Sequence, residues 1–553
     1  MNTLFDVFGF LSVVLHGLDF VAQSVLLGSM AFAALVEPPF AWDAQRDIDA
    51  ISAGSRRVIQ TAALAVVVAV TAATLVNAAV LAASLSLSGR EVAGAGFVIA
   101  GAVKVAAAAA IGLLVSIRPV SAASTRIVLG AASVLLLCAT LADSHAVARL
   151  RGNILLLFAT GMHELGAALW LGALPCFWLA LRRIDPPELA SRIGKRFSAL
   201  AITGVAMILV GAAVFVIMYI GSIDAVYGTA YGAMALTKSV LLGLLLLLGF
   251  ANFRAVRRMA VDGAALARVR LFVEVEMGIG FAVLMAATSI TSMPPAVDLI
   301  EDRLTLSDLA ARVTPALPRL SSPDHAALAL PALQARLDDE WQAGQASTRA
   351  RAFVPGSGTL PPRNAYDIAW SEYNHHWAGL LIILMGLAAL AQRSGRAPWA
   401  RHWPLLFLLL AAFLFLRADP EVWPMGEIGP FESLRDPEVV QHRLFVALIV
   451  AFALFEWRVR TGRIGSRRLA LIFPLLIAAG GTLLLTHSHA LGNVKEELLV
   501  ELTHLPIAVL GIIAGWARWL EVKAPETVGR WAGWLWPPCL ILVGLLLLGY
   551  REA

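Results

Sequence analysis

Val58–Leu85 reads VIQTAALAVVVAVTAATLVNAAVLAASL and contains no charged side chain. At about 1.5 Å per residue, a helix of this length covers about 42 Å, more than the roughly 30 Å hydrocarbon core of a bilayer. Similar apolar runs recur along the 553 residues, of which 59% are hydrophobic and 15% charged. Soluble domains carry about 25% charged residues. The sequence therefore predicts an all-α polytopic membrane protein.

The apolar runs predict about fourteen transmembrane helices. Each is long enough, or nearly so, to cross the hydrocarbon region. Their approximate cores are 8–36, 58–85, 93–117, 125–142, 153–181, 198–221, 229–253, 271–292, 374–392, 403–417, 439–457, 469–487, 499–519 and 533–550.

Arginine and lysine residues between the helices predict an orientation. Basic loops at 182–196, 254–270, 393–401 and 458–468 alternate with neutral or acidic loops such as 418–438. Cytoplasmic loops of membrane proteins carry an excess of these residues. We therefore expect a bacterial inner-membrane protein with both termini in the periplasm. The net charge of +5 is then a topology signal, and nothing in it indicates nucleic-acid binding.

A change in composition divides the chain. Residues 293–370 are rich in Pro, Asp, Ser and Ala and contain no spanning run. We predict an eight-helix membrane domain at 1–292, a periplasmic soluble segment at 293–370 and a six-helix membrane domain at 371–553. The expected architecture is thus two helical bundles with a periplasmic insert.

Several functional classes are excluded by missing motifs. The chain has no Walker A lysine loop, no DKTG phosphorylation motif and no Cys-Pro-Cys in a span, so energy coupling by ATP is not expected. The three cysteines share no close spacing and predict neither a disulfide framework nor a CxxC metal motif. The sequence favours a transporter or metal-transfer protein over an enzyme.

Histidines carry the main chemical signal. Nine of the eleven are predicted on, or below, the outer face of the membrane. Neutral imidazole binds copper, zinc and haem iron, and it can do so at a membrane boundary without burying a charge. Six histidines at neighbouring helix ends of the C-terminal domain predict a metal cluster: His375, His376, His442, His487, His489 and His504.

A second predicted site lies deeper in the N-terminal domain. His16 and His163 are expected roughly 12–15 Å below the outer surface, because each follows about eight to ten helical residues. Asp19 shares a helix face with His16, Met162 adjoins His163 and offers a thioether, and His145 lies at the outer face.

Two other interpretations remain open. Histidines on facing helices also hold haem, so a b-type membrane cytochrome for electron transfer is the first alternative. A receptor or assembly scaffold with interfacial histidines is the second.

Four motifs resemble the copper resistance D (CopD) family. They are GMHELGAALWLG at Gly161–Gly172, RFSALA at Arg196–Ala201, the Tyr231-Gly pair with Lys238, and GFANFR at Gly249–Arg254. Thr486–Glu496 (THSHALGNVKE) and Glu501–Pro506 resemble the longer form of these proteins, which has an additional C-terminal membrane half. The resemblance implies import or transfer of copper from the periplasmic side. It also implies a small periplasmic copper-binding partner of the CopC type.

Overall fold

A computed structural model gives the fold. It describes residues 2–37, 45–118, 123–149, 152–184, 186–300, 303–314, 316–323, 365–420, 422–426, 428–434, 437–486, 494–524 and 526–552. Within these residues the named elements are all helical, with one isolated β-bridge between Val422 and Ile428. The predicted all-α fold is confirmed.

Thirteen helices of the described residues are long and apolar enough to cross a membrane. They confirm the polytopic prediction, including the two shortest predicted segments, which appear as Ser124–Ala142 and Pro398–Arg417. At the twelfth predicted segment the described part is a shorter apolar helix, Leu469–Leu484.

The chain forms two compact units. Unit 1 takes up Met1–Glu301, and unit 2 takes up nearly all of the chain after it. The long helices of unit 1 are α1 (Asn2–Leu35), α2 (Gln45–Leu85), α3 (Gly96–Ile117), α4 (Ala123–Ala142), α5 (Asn153–Ala167), α6 (Leu174–Arg183), α7 (Pro187–Phe215), α8 (Ala230–Val256) and α9 (Gly263–Ser292). The helices of unit 2 are α10 (Leu306–Val313), α11 (Ala365–Arg393), α12 (Leu406–Arg417), α13 (Pro437–Arg460), α14 (Ile472–Leu484), α15 (Val494–Lys523) and α16 (Glu526–Leu548).

Helix starts in unit 1 follow local sequence signals. Thr229 caps α8 by accepting a hydrogen bond from the Gly232 N–H, and Asp262 caps α9 by accepting one from Ala264. These side chains satisfy N–H groups that have no partner within the helix.

Two π-helical turns interrupt the helices of unit 1. Ala168–Gly172 joins α5 to α6, and Val216–Ile220 ends α7. The first turn packs against α1 so closely that a Cβ on Gly172 would overlap the backbone of Ser24. Only glycine permits this approach. Turns of this kind inside helices often occur at functional sites.

The two units bury different cores. In unit 1, α1 to α4 pack aliphatic side chains such as Leu26, Ile59 and Ile111. In unit 2, α11, α14 and α16 pack aromatic rings, among them Phe473 and Trp536. Large apolar side chains such as Leu64, Leu75 and Ile127 lie on the outside, as a lipid-facing surface requires.

The basic end of unit 2 is held by buried ion pairs. Glu521 accepts hydrogen bonds from Arg393 (2.9 Å) and Arg518 (2.6 Å), and Arg460 donates to the fully buried Glu456 at 2.6 Å. Charges this deep are stable only when paired. Arg393 ends α11, whereas the histidines described below lie near its start, so the ion pairs and the histidines occupy opposite ends of unit 2.

Candidate metal sites

His375 lies in the third turn of α11 with its ring orientation fixed. Its Nδ1 is 2.7 Å from the carbonyl oxygen of Ser371. A carbonyl only accepts, so Nδ1 carries the proton and Nε2 keeps its lone pair. No hydrogen bond to this Nε2 is found among the described residues. An Nδ1–H held by a backbone carbonyl is the arrangement that prepares a histidine to bind a metal through Nε2.

His504 of α15 lies beside His375. The ring centroids are 6.4 Å apart and the ring planes are perpendicular. Two imidazoles that bind one ion at about 2.0 Å have centroids roughly 5–6.3 Å apart, the longest value being for a linear arrangement. The observed pair is therefore close to the separation needed to bind one ion between the rings.

Tyr550 completes this histidine pair. Its ring stacks on His375 with a centroid distance of 3.9 Å and meets His504 edge-on at 6.0 Å. The Tyr550 hydroxyl donates to Oε2 of Glu552 at 2.5 Å, and the Ser371 hydroxyl donates to the same oxygen. Ser371 and Glu552 therefore hold the His375 ring and the Tyr550 ring that covers it.

His376 has a different role, although it is the next residue. Its Nδ1 accepts a hydrogen bond from the backbone N–H of Arg319 at 2.7 Å, and its Nε2 donates to the Tyr550 carbonyl at 2.8 Å. The residue is 4% exposed. With both ring nitrogens occupied by backbone groups, His376 offers no lone pair to a metal in this arrangement.

The segment that contains Arg319 packs along the same end of unit 2. Arg319 Nε pairs with Glu372 at 3.3 Å, and the indole of Trp377 donates to the Leu320 carbonyl at 3.0 Å. Arg551 donates to the carbonyls of Ala311 and Thr314. These contacts and the His376 hydrogen bonds tie residues 303–323 to α11 and to the residues after α16.

The other predicted members of the C-terminal cluster are His442, His487 and His489. His442 of α13 bonds through Nδ1 to Asp419 at 2.7 Å, and no described ring contact joins it to His375 or His504. His487 and His489 lie outside the described residues. Of the six predicted histidines, the described residues therefore include the pair His375 and His504, His376 bound to backbone groups, and His442 paired with an aspartate.

The predicted deep site of unit 1 centres on Asp19. This carboxylate is 4% exposed; it accepts a hydrogen bond from Gln23 at 2.6 Å and lies 3.8 Å from the ammonium of Lys104. Lys104 is also 3.1 Å from Asp143. His16 is exposed but close enough to Asp19 to interact electrostatically. Asp19 therefore shares the Lys104 cation with Asp143.

His163 is placed apart from this ion pair. Its Nδ1 is 3.2 Å from the Ile208 carbonyl, its ring meets Phe215 edge-on at 5.4 Å, and Lys238 is near enough to act on it electrostatically. Met162 is half-buried beside it. The backbone of His145 opens the short helix His145–Ala148, and its side chain lies outside the described residues.

Three polar residues in unit 1 form a contact that the motifs did not indicate. Glu276 of α9 accepts a hydrogen bond from the Trp170 indole at 2.7 Å and is bonded to the Asn252 amide at 2.5 Å. Glu276 was recognisable as an acidic residue in a span, but nothing in the periodicity indicates its two partners. Tyr550 and Glu552 were missed for the same reason, since Tyr550 ends the last apolar run and Glu552 follows it.

Groups of three or more potential metal ligands are absent from the part of the chain described above.

Comparison with known proteins finds similarity over part of the chain. The model of the family described as copper resistance protein D matches residues 191–290. A Bacillus subtilis (strain 168) protein named copper transport protein CutJ is 32% identical over 136 residues, which is 24% of this chain and 24% of that protein. The aligned region thus covers about a quarter of the relative's length. No solved structure matches the chain.

Proposed function

We propose that this chain takes up copper at one membrane face through histidines and passes it across or to a partner. The proposal is supported by the match of residues 191–290 to the family described as copper resistance protein D. Copper is the cargo. The family supports a copper-related membrane protein, and the histidine sites, the direction and the mechanism are our proposal.

The observation that carries the proposal is the pair His375 and His504. Nδ1 of His375 is bound to a carbonyl, and His504 is 6.4 Å away between centroids. Cu(I) accepts two nitrogen ligands in a linear arrangement, and imidazole is a good ligand for copper. A copper ion between the rings would also lie within the roughly 6 Å over which a cation is attracted to a tyrosine ring.

Haem b fits this pair less well. A porphyrin held by two histidines lies between the imidazoles, with its plane at their midpoint. The three centroid distances place the Tyr550 ring beside that midpoint, within the area that a porphyrin would occupy. Tyr550 is itself held by Glu552. A single ion fits without displacing it.

Unit 1 supplies the second half of the proposed route. His16, with Asp19 and Lys104 beside it, and His163 with Met162 would receive copper after the first pair. The positive-inside pattern of basic loops would place both the histidine pair and the chain termini in the periplasm of a bacterial inner membrane. A small periplasmic copper protein of the CopC type is the proposed donor.

Metal and haem content of the purified full chain tests this proposal. We expect copper to bind the wild type in an anaerobic competition titration. A variant with His375→Phe and His504→Phe should lose the tightest equivalent. Phenylalanine keeps ring volume against Tyr550, so the fold is retained. His402→Phe is the control, because this histidine accepts a hydrogen bond from Trp457 at 2.8 Å, away from the pair.

Two results would contradict the proposal. Equal copper affinity in the wild type and the double variant would show that His375 and His504 do not bind the copper. A Soret band in the wild type that is lost in the double variant would assign the pair to haem.

A further inference from the structure

Glu276 lies near the middle of α9 without a cationic partner. It is 2% exposed, and among the described residues no ion pair joins it to lysine, arginine or histidine. An ionised carboxylate left unpaired within a membrane span is costly. Intramembrane carboxyl groups of this kind mark ion pathways and proton relays.

The two partners of Glu276 suit a carboxyl group that exchanges a proton. The indole of Trp170 can only donate, so Oε1 is an acceptor in either protonation state. Any proton must therefore be on Oε2, which faces the side-chain amide of Asn252. An amide offers both an N–H donor and a carbonyl acceptor.

The contact between Asn252 and Glu276 is short. Its length of 2.5 Å lies below the usual range of an N–H···O bond and within the range of an O–H···O bond. In the structure the atom at this distance is Nδ2 of Asn252, which donates to Oε2 of Glu276. Turning the amide by 180° exchanges its nitrogen and oxygen, and the same distance then fits an O–H of Glu276 that donates to the amide oxygen. In the orientation that the structure shows, Oδ1 of Asn252 is buried without a described partner.

Several ionisable groups on the elements that pack against α9 have described contacts with residues other than Glu276. These elements are α1, the π-turn, α6, α7 and α8. Asp19 contacts Gln23 and Lys104, and Cys176 lies beside Ser29 and Ser55. Arg183 donates to the Ala50 carbonyl and Arg196 to the Val36 carbonyl, whereas Arg182 and Arg254 lie over the rings of Trp178 and Phe250. Lys238 is near His163. On α9 itself, Arg270 donates to the carbonyls of Leu181 and Ile184, Arg268 pairs with Asp262, and Glu274 accepts from Trp178 at 3.0 Å.

We propose that Glu276 is a proton-binding site in the interior of unit 1, and that its proton couples copper movement to the proton gradient. The coupling rests on the proposed function, whereas the proton site does not. In the step, the O–H bond at Oε2 breaks and the proton passes to a water molecule. The Asn252 amide then turns so that its N–H donates to the carboxylate. Trp170 belongs to the π-turn that continues α5, the helix that contains His163. Movement of α5 would therefore move Trp170 and its hydrogen bond to Glu276.

Infrared spectroscopy of the full chain tests the proton site directly. We expect the C=O stretching band of a protonated carboxylic acid, which Glu276→Gln removes and Glu274→Gln keeps. Glu274 is the matched control because it lies on the same helix and also accepts from an indole. If Glu276→Gln does not fold, Asn252→Ala must shift the same band. A protonated-carboxyl spectrum that is the same in Glu276→Gln as in the wild type, or in Asn252→Ala as in the wild type, would overturn the proposal.

Proteoliposomes of phosphatidylethanolamine and phosphatidylglycerol test the coupling. We expect Cu(I) uptake by the wild type to change the internal pH, and this change to fall to the level of protein-free vesicles in Glu276→Gln but not in Glu274→Gln. Copper uptake with no proton movement, or with unchanged proton movement in Glu276→Gln, would overturn the coupling. If the wild type moves no copper, the proposed function fails, and the infrared result still decides the proton site.

Discussion

Replacing His375 and His376 separately by phenylalanine should give opposite results, although the residues are neighbours. His376→Phe keeps the ring volume but leaves the Arg319 N–H and the Tyr550 carbonyl without their partner. A buried polar group that loses its hydrogen bond costs about 1–3 kcal/mol, so the two together cost about 2–6 kcal/mol. His375→Phe loses a hydrogen bond to the Ser371 carbonyl of its own helix and a 3.4 Å contact with the Ser371 hydroxyl, and it keeps the stack on Tyr550.

The assay is thermal unfolding in detergent together with copper titration. For a unit of about 250 residues, 1 kcal/mol shifts the midpoint by about 2–4 °C, so His376→Phe should lower it by at least about 4 °C. The folded fraction should still bind copper. His375→Phe should melt close to the wild type and bind copper weakly. The reasoning is refuted if His376→Phe is as stable as the wild type, or if it loses copper affinity and His375→Phe does not.

Three further predictions concern unit 1. Lys104→Met should destabilise it by about 3–5 kcal/mol, because Asp19 is left buried and unpaired, and adding Asp19→Asn should recover much of the loss in melting temperature. Gly172→Leu should sharply lower the yield of folded protein in size-exclusion chromatography, because its side chain would overlap the backbone of α1, whereas Gly130→Leu has open space and should not. Burial raises the pKa of the Glu37 carboxyl above its ordinary value of 4.5. The folded state then holds this proton to higher pH than the unfolded state, so this contribution to stability is lost as pH rises above 4.5. Melting across pH should show this fall in the wild type and not in Glu37→Gln.

The fold was predictable because membrane insertion depends on the length and hydrophobicity of each run, and both can be read directly from the sequence. A run such as Val58–Leu85 has one stable outcome in a bilayer, which is a helix. The π-turn at Ala168–Gly172 was not predictable in this way, because one additional residue per turn leaves the apolar composition unchanged. The close approach of Gly172 to α1 is likewise a property of two distant segments.

The candidate site was predictable only in part. Histidine positions near helix ends indicated which residues belong to one end of unit 2. They could not separate His375 from His376, since successive residues of a helix point about 100° apart and meet different neighbours. Ser371 binds Nδ1 of His375 and leaves its Nε2 open. Arg319 and Tyr550 occupy both ring nitrogens of His376.

X-ray absorption at the copper edge is the most direct test of the histidine pair. The purified wild type, loaded with one equivalent of Cu(I), should show two imidazole nitrogens at about 2 Å. This signal should vanish when His375 and His504 are both phenylalanine. An identical spectrum in the double variant, or a first shell of sulfur, would contradict the assignment of copper to this pair.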